Sequence, residues 1–178
     1  MLSMRIVAIL WLVCTGFSAN AQLGKEFPQM TGVLLNNKTL NLPFKNNKYS
    51  VVAIAFNRSA EDALKKWLNP LYSLFIVKKE GGSNFDMAEI YNVNFVFIPM
   101  ISGFKKLAND FKSGSDKEFW PYILDTEKTD VLEVQRQLKV SDDKIPYFYV
   151  LDRSGNIVDF QSGEYSDEKL EQLEEAVE

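Results

Sequence analysis

Apolar and polar positions change period several times along this chain, and each change marks an element. VLLNNKTLNL (33–42) sets apolar residues on either side of the turn-forming Asn36-Asn37-Lys38 and predicts a hairpin. VVAIAF (51–56) is a short, continuous, β-rich run, the pattern of a central strand covered on both faces. Ala63, Leu64, Trp67, Leu68, Leu71 and Phe75 then recur at helical spacing. Ser59 reads as the N-cap of that helix, with Asp62 in the acid position of a capping box. Pro70 is expected to kink or break it.

FDMAEIYNVNFVFI (85–98) predicts an aromatic-rich strand, and after Pro99 the residues Phe104, Leu107, Ala108 and Phe111 share one helical face. Tyr122-Ile123-Leu124 reads as a short buried strand. KTDVLEVQRQLKV reads as a helix with Val131, Val134, Gln135 and Leu138 inward. YFYVLD (147–152) is a strand, joined through Arg153-Ser154-Gly155-Asn156 to its hairpin partner IVDF (157–160). Ser166 caps a last amphipathic helix, with Leu170, Leu173 and Val177 inward and Asp167 and Glu168 in its first turn. The order is hairpin, β, α, β, α, β, α, hairpin, α. It implies an α/β fold, a three-layer sandwich around a central mixed sheet, in one domain over 22–178.

The N-terminus follows another logic. Arg5 supplies a positive n-region, IVAILWLV an apolar core, and Ala19-Asn20-Ala21 a small-x-small site. This is the pattern of a secretory signal peptide over 1–21, cleaved after Ala21. The apolar stretch is shorter than the roughly 20 residues of a spanning helix. No permanent membrane span is expected after cleavage, and the destination is extracytoplasmic, either periplasmic or secreted. Trp11-Leu12-Val13 ahead of Cys14 lack the small residue of a lipoprotein signal.

Composition then removes most chemistry. Cys14 is the only cysteine and there is no histidine, so a chain cleaved after Ala21 carries neither thiol nor imidazole. Disulfides, thiol redox work, Cys or His nucleophiles and ordinary zinc or copper sites are excluded for it. The carboxylates show no calcium-loop spacing, so no metal and no cofactor are expected. With 24 acidic against 20 basic residues, a nucleic-acid partner is not expected either.

Two stretches carry a resemblance. WPYILDTEKTDVLEVQRQLKV and KIPYFYVLDRSGNIVDFQSG resemble the C-terminal half of the thioredoxin-like superfamily: a strand ending in Asp, a helix, x-Pro, an apolar strand, Asp-x-x-Gly and a hairpin. Pro146 falls at that superfamily's cis-proline, with Ile145 before it, and the resemblance implies a cis bond. It also implies that the first buried strand leads to a Cys-x-x-Cys at the helix start. Aligned on VVAIAF, that tetrad is Ala60-Glu61-Asp62-Ala63, with alanine at both cysteine positions. Phe56, Arg58, Trp67, Tyr147, Tyr149, Asp152, Gly155, Ile157 and Gly163 are further similar to the family of mitochondrial ATP-synthase assembly factors of thioredoxin-like fold. Asn156 and Asp159-Phe160 depart from that family's basic and tryptophan positions. The secretory leader favours a bacterial extracytoplasmic relative over the mitochondrial protein.

The leading expectation is therefore a non-catalytic, redox-inactive binding protein in a chaperone or assembly role. Its partner would be an envelope or secreted protein or peptide, received by strand addition at Asn57, Arg58, Ser59, Ala60, Ala63, Ile145 and Pro146. Arg58 beside the helix start is also placed to hold an anionic group. Two alternatives stay open at this level. One is an accessory to a partner's thiol–disulfide chemistry. The other is an enzyme using Ser59 or other non-Cys residues at the same junction, which would need a base other than histidine.

Overall fold

The computed structural model describes residues 22–77, 92–100, 116–126 and 129–177. The expected leader, residues 85–91 of the aromatic segment and the helix expected around Phe104 and Phe111 lie outside them.

The N-terminal hairpin forms as its pattern requires. β1 (Met30–Leu34) and β2 (Thr39–Leu42) pair antiparallel, and Asn37 takes the left-handed turn position at φ 69°. Asparagine tolerates that conformation better than most side chains. β3 (Ser50–Ala55) is buried at every residue. It pairs parallel with β4 (Asn94–Pro99) and antiparallel with β6 (Tyr147–Leu151), and β6 pairs antiparallel with β7 (Ile157–Ser162). The central sheet is therefore mixed, in the order β4-β3-β6-β7. A smaller sheet, β2-β1-β5, is completed by β5 (Leu124–Asp125), and the Phe97–Ile123 bridge joins it to the central one.

Strand alternation divides the core. Val51, Ala53, Ala55, Phe148 and Val150 point into one cluster with Trp67, Leu71 and Leu173. Val52, Ile54, Tyr149 and Leu151 point into the other with Met30, Leu42, Val134 and Leu138. α1 (Arg58–Tyr72) and α3 (Asp167–Glu175) cover the first face. α2 (Val131–Gln137) and the small sheet cover the second. This is the expected three-layer α/β sandwich with a central mixed sheet, and the fold is thioredoxin-like.

Four local expectations are corrected. The N-cap of α1 is Asn57, not Ser59: its side chain accepts from the Ala60 N–H at 3.0 Å, and Ser59 is already helical. Asparagine and serine cap about equally well. Asn57 takes that role with Oδ1 and makes a second bond with its amide, described below.

Of the two outcomes expected at Pro70, a kink or a break, the break does not occur. The helix continues to Tyr72 and widens into a π turn over Ser73–Val77. An interior proline costs about 3 kcal/mol. The apolar stripe of Trp67, Leu68, Leu71, Leu74 and Phe75 stays buried across it, and each such side chain contributes about 1.5–3 kcal/mol.

Trp120 to Tyr122 form the end of a 3₁₀ turn, Lys117–Tyr122, that contains Pro121, and strand pairing begins only at Ile123. Finally, the Ile145–Pro146 peptide is trans. The cis peptide among the described residues is Leu42–Pro43. Trans is the lower-energy isomer for an x-Pro bond, and in this geometry the Pro146 carbonyl accepts from the Gly163 N–H at 2.9 Å.

Candidate functional site

β3 and β6 lie side by side because Ser50 to Ile54 pair with Leu151 to Tyr147. Their ladder ends at Ile54–Tyr147, since Pro146 has no N–H to continue it. The chain leaving β3 at Phe56 and Asn57 therefore emerges beside the chain entering β6 at Lys144 and Ile145. The fold thus brings the two halves of the expected site together from opposite ends of the sequence.

Asn57 joins them. Its Oδ1 caps α1 and its Nδ2 donates to Asp143 Oδ1 at 3.1 Å. The loop on the other side is held from within. The Tyr147 hydroxyl accepts from the Asp142 N–H at 3.1 Å, and Asp142 Oδ1 accepts from the Lys144 N–H at 2.9 Å. Phe56 packs edge-on against the Tyr147 ring, with centroids 6.3 Å apart. No hydrogen bond engages the Ile145 N–H or carbonyl among the described residues.

The expected site residues separate by exposure. Arg58 and Ser59 are exposed, and Asn57 and Ile145 are half-buried. Ala60 and Ala63 are buried, at 0% and 9% exposure, and Pro146 is buried too. Ala60 and Ala63 face the core from the inner side of α1, so the side chains at the two cysteine-equivalent positions are not on the surface. The expectation that they line it is corrected accordingly.

The tetrad holds one charged group that sequence reasoning passed over. Glu61 is 0% exposed and its Oε1 lies 2.8 Å from Lys65 Nζ, one turn along α1. Its position was readable, because residues 61, 64 and 68 share a helix face. Asp143 was missed as well, and no local pattern singles it out.

Behind the junction, Tyr149 is fully buried and its hydroxyl has no hydrogen-bond partner among the described residues. Burial and the nearby Tyr147 push its pKa well above the ordinary phenol value. Its ring stacks between Tyr147 at 6.3 Å and Phe160 at 6.2 Å, which is packing rather than a reactive arrangement. No group of three or more metal-ligating side chains occurs among the described residues. Nor is any of their helices long and apolar enough to cross a membrane.

A strand running into a capped helix beside an x-Pro loop, with no thiol on it, defines a thioredoxin-like protein lacking that class's redox pair. More particularly, the chain belongs to the ATP10 protein family, whose pattern matches residues 18–178. The resemblance to ATP-synthase assembly factors of thioredoxin-like fold is thereby borne out.

Comparison with curated proteins finds no match. Among solved structures, the chain is similar to the thioredoxin domain of a thiol-disulfide oxidoreductase from Bacteroides vulgatus. That match has TM-score 0.59 and 19% identity, and covers 88% of this chain and 98% of that one. A thiol:disulfide interchange protein from Bacteroides sp. matches with TM-score 0.58 and 19% identity, over 87% and 90% of the two chains. StoA from Bacillus subtilis matches with TM-score 0.57 and 16% identity, over 85% and 97%. At these identities the likeness is one of fold.

Proposed function

We propose that this ATP10-family chain is a non-catalytic binding protein that holds an extended segment of a protein partner at the β3–α1 junction, in an assembly or chaperone role. The observation that carries this reading is one of pairing. The Ile145 backbone is without a hydrogen bond among the described residues, beside the exposed start of α1. Unpaired main-chain groups next to a sheet invite an added strand.

The missing chemistry supports the same reading. Thiol–disulfide exchange needs a thiolate, and the chain has no cysteine after residue 14. The thiol-disulfide oxidoreductase and interchange-protein structures share only the fold. Ser59 has no histidine to activate it, which disfavours the enzyme alternative. The surface for the partner is Asn57, Arg58, Ser59 and Ile145, with Ala60, Ala63 and Pro146 supporting it from beneath. The leader pattern favours an extracytoplasmic partner, an envelope or secreted protein.

The test is photo-crosslinking in native cells, with the reactive group at exposed Ser59 and a control at Glu171 on α3. A discrete protein adduct from Ser59 alone is the expected result. Its absence, in protein shown to be folded, overturns the proposal.

A further inference from the structure

The bond between Asn57 and Asp143 spans the junction at which the proposed partner would dock. It runs from the first residue outside α1 to the loop two residues ahead of Ile145. Both ends are polar and the bond is solvent-exposed. Each side is anchored independently of it. Asn57 remains the helix cap through Oδ1. The loop remains folded through the Tyr147 hydroxyl and the Asp142–Lys144 turn. The bond is therefore the one direct hydrogen bond between the two lips among the described residues, and breaking it leaves both lips standing.

We propose that this hydrogen bond is a latch. It closes the junction in the free protein, and an arriving extended segment opens it by offering Asp143 a donor of its own. This inference rests on the binding role proposed above and adds how access to that site is regulated. Physically, the exchange is nearly balanced. An exposed bond from a neutral amide to a carboxylate competes with water on both partners, so its net worth is small. A backbone N–H or a cationic side chain of the partner replaces the Asn57 amide at Asp143 without leaving a buried group unsatisfied. Asn57 loses nothing that its capping role needs. Asp143 thus acts as a positioning residue for the loop in the free state and as a recognition acceptor in the bound state.

Two readouts test this on the full chain. Asp143→Ala removes the acceptor, while Asp143→Asn keeps the Oδ1 to which the Asn57 amide donates. Hydrogen exchange in residues 141–145 reports the latch without any partner. It is expected to quicken several-fold in D143A, stay near wild type in D143N, and leave exchange in β3 and β6 unchanged. Adduct yield from a photoreactive group at Ser59 reports access, and is expected to rise several-fold in Asn57→Ser, which keeps a capping oxygen and leaves Asp143 to accept from the partner. Unchanged exchange in D143A overturns the latch outright, whatever the crosslinking shows. Faster exchange with an unchanged wild-type adduct yield overturns the gating role and leaves the binding role intact. Faster exchange with no adduct in any variant overturns the binding role, and gating falls with it.

Discussion

The Glu61 carboxylate, enclosed in the first turns of α1, lies 2.8 Å from the Lys65 ammonium, which is itself 31% exposed. One end of this pair is in the core and the other reaches water. Glu61 stands inside the tetrad that resembles a Cys-x-x-Cys, so a buried anion persists near the helix start where a redox protein would place a thiolate. A negative charge there is also favoured by the helix dipole. Removing the lysine strands that charge. Lys65→Met is expected to destabilise the protein by about 3 kcal/mol, seen as a lower urea midpoint. Glu61→Leu removes the buried charge itself and is expected to cost much less, or to stabilise.

The capping assignment makes its own prediction. Asn57→Ala should cost about 1 kcal/mol in urea unfolding, whereas Ser59→Ala should stay within about 0.5 kcal/mol of wild type. Asn57→Asp keeps a capping oxygen but sets a second carboxylate against Asp143. Its stability should rise with added salt, since salt screens an exposed like-charge contact.

Tyr149 presents a hydroxyl that folding buries without a partner among the described residues. Phenylalanine keeps the ring stack and removes the desolvated group. Tyr149→Phe is therefore expected to raise stability by about 1 kcal/mol. A loss of stability would mean that the hydroxyl has a partner after all.

Two aspartates on the β6–β7 hairpin should respond oppositely to pH. Burial pulls the Asp152 carboxyl upward, but hydrogen bonds from the Asn156 side chain and backbone, and from Ser154 and Gly155, outweigh it. Its pKa lies below the ordinary value. Its contribution to stability is present above the unfolded pKa, about 3.9, and is lost as pH falls through the lower folded one. For half-buried Asp159, burial raises the pKa more than the Phe160 N–H lowers it. The folded chain then holds that proton more tightly, and stability falls as pH rises from the unfolded pKa through the raised folded one. Asp152→Asn should destabilise more at pH 7 than at pH 3. Asp159→Asn should stabilise at pH 7 and change little at pH 3. Urea midpoints at the two pH values check both.

Much of the frame was readable along the chain. The continuous run of β3, the hairpin around Asn37 and the Ser166 cap on α3 depend on neighbours a few residues away, which the sequence displays directly. In the structure, the Ser166 side chain does accept from the Lys169 N–H at 3.3 Å. The candidate site was readable as a place, because a strand end meeting a helix start is a local pattern. Its contacts were not. Asn57 and Ser59 are equally plausible caps along the chain, and nothing local shows that the Asn57 amide also meets Asp143, 86 residues away. Pro70 looks like a breaker until the core on both sides of it is counted.

What the sequence determined by itself is the alternation of strands and helices and the lack of a cysteine pair: the first is a matter of period, the second of composition. Only the tertiary structure decided which side chain caps α1, that Ala60, Ala63 and Glu61 turn inward, that Pro146 is trans, and that Asp143 meets the cap of α1. Each of those depends on the free energy of contacts between residues far apart in the chain, and no local pattern encodes such a contact.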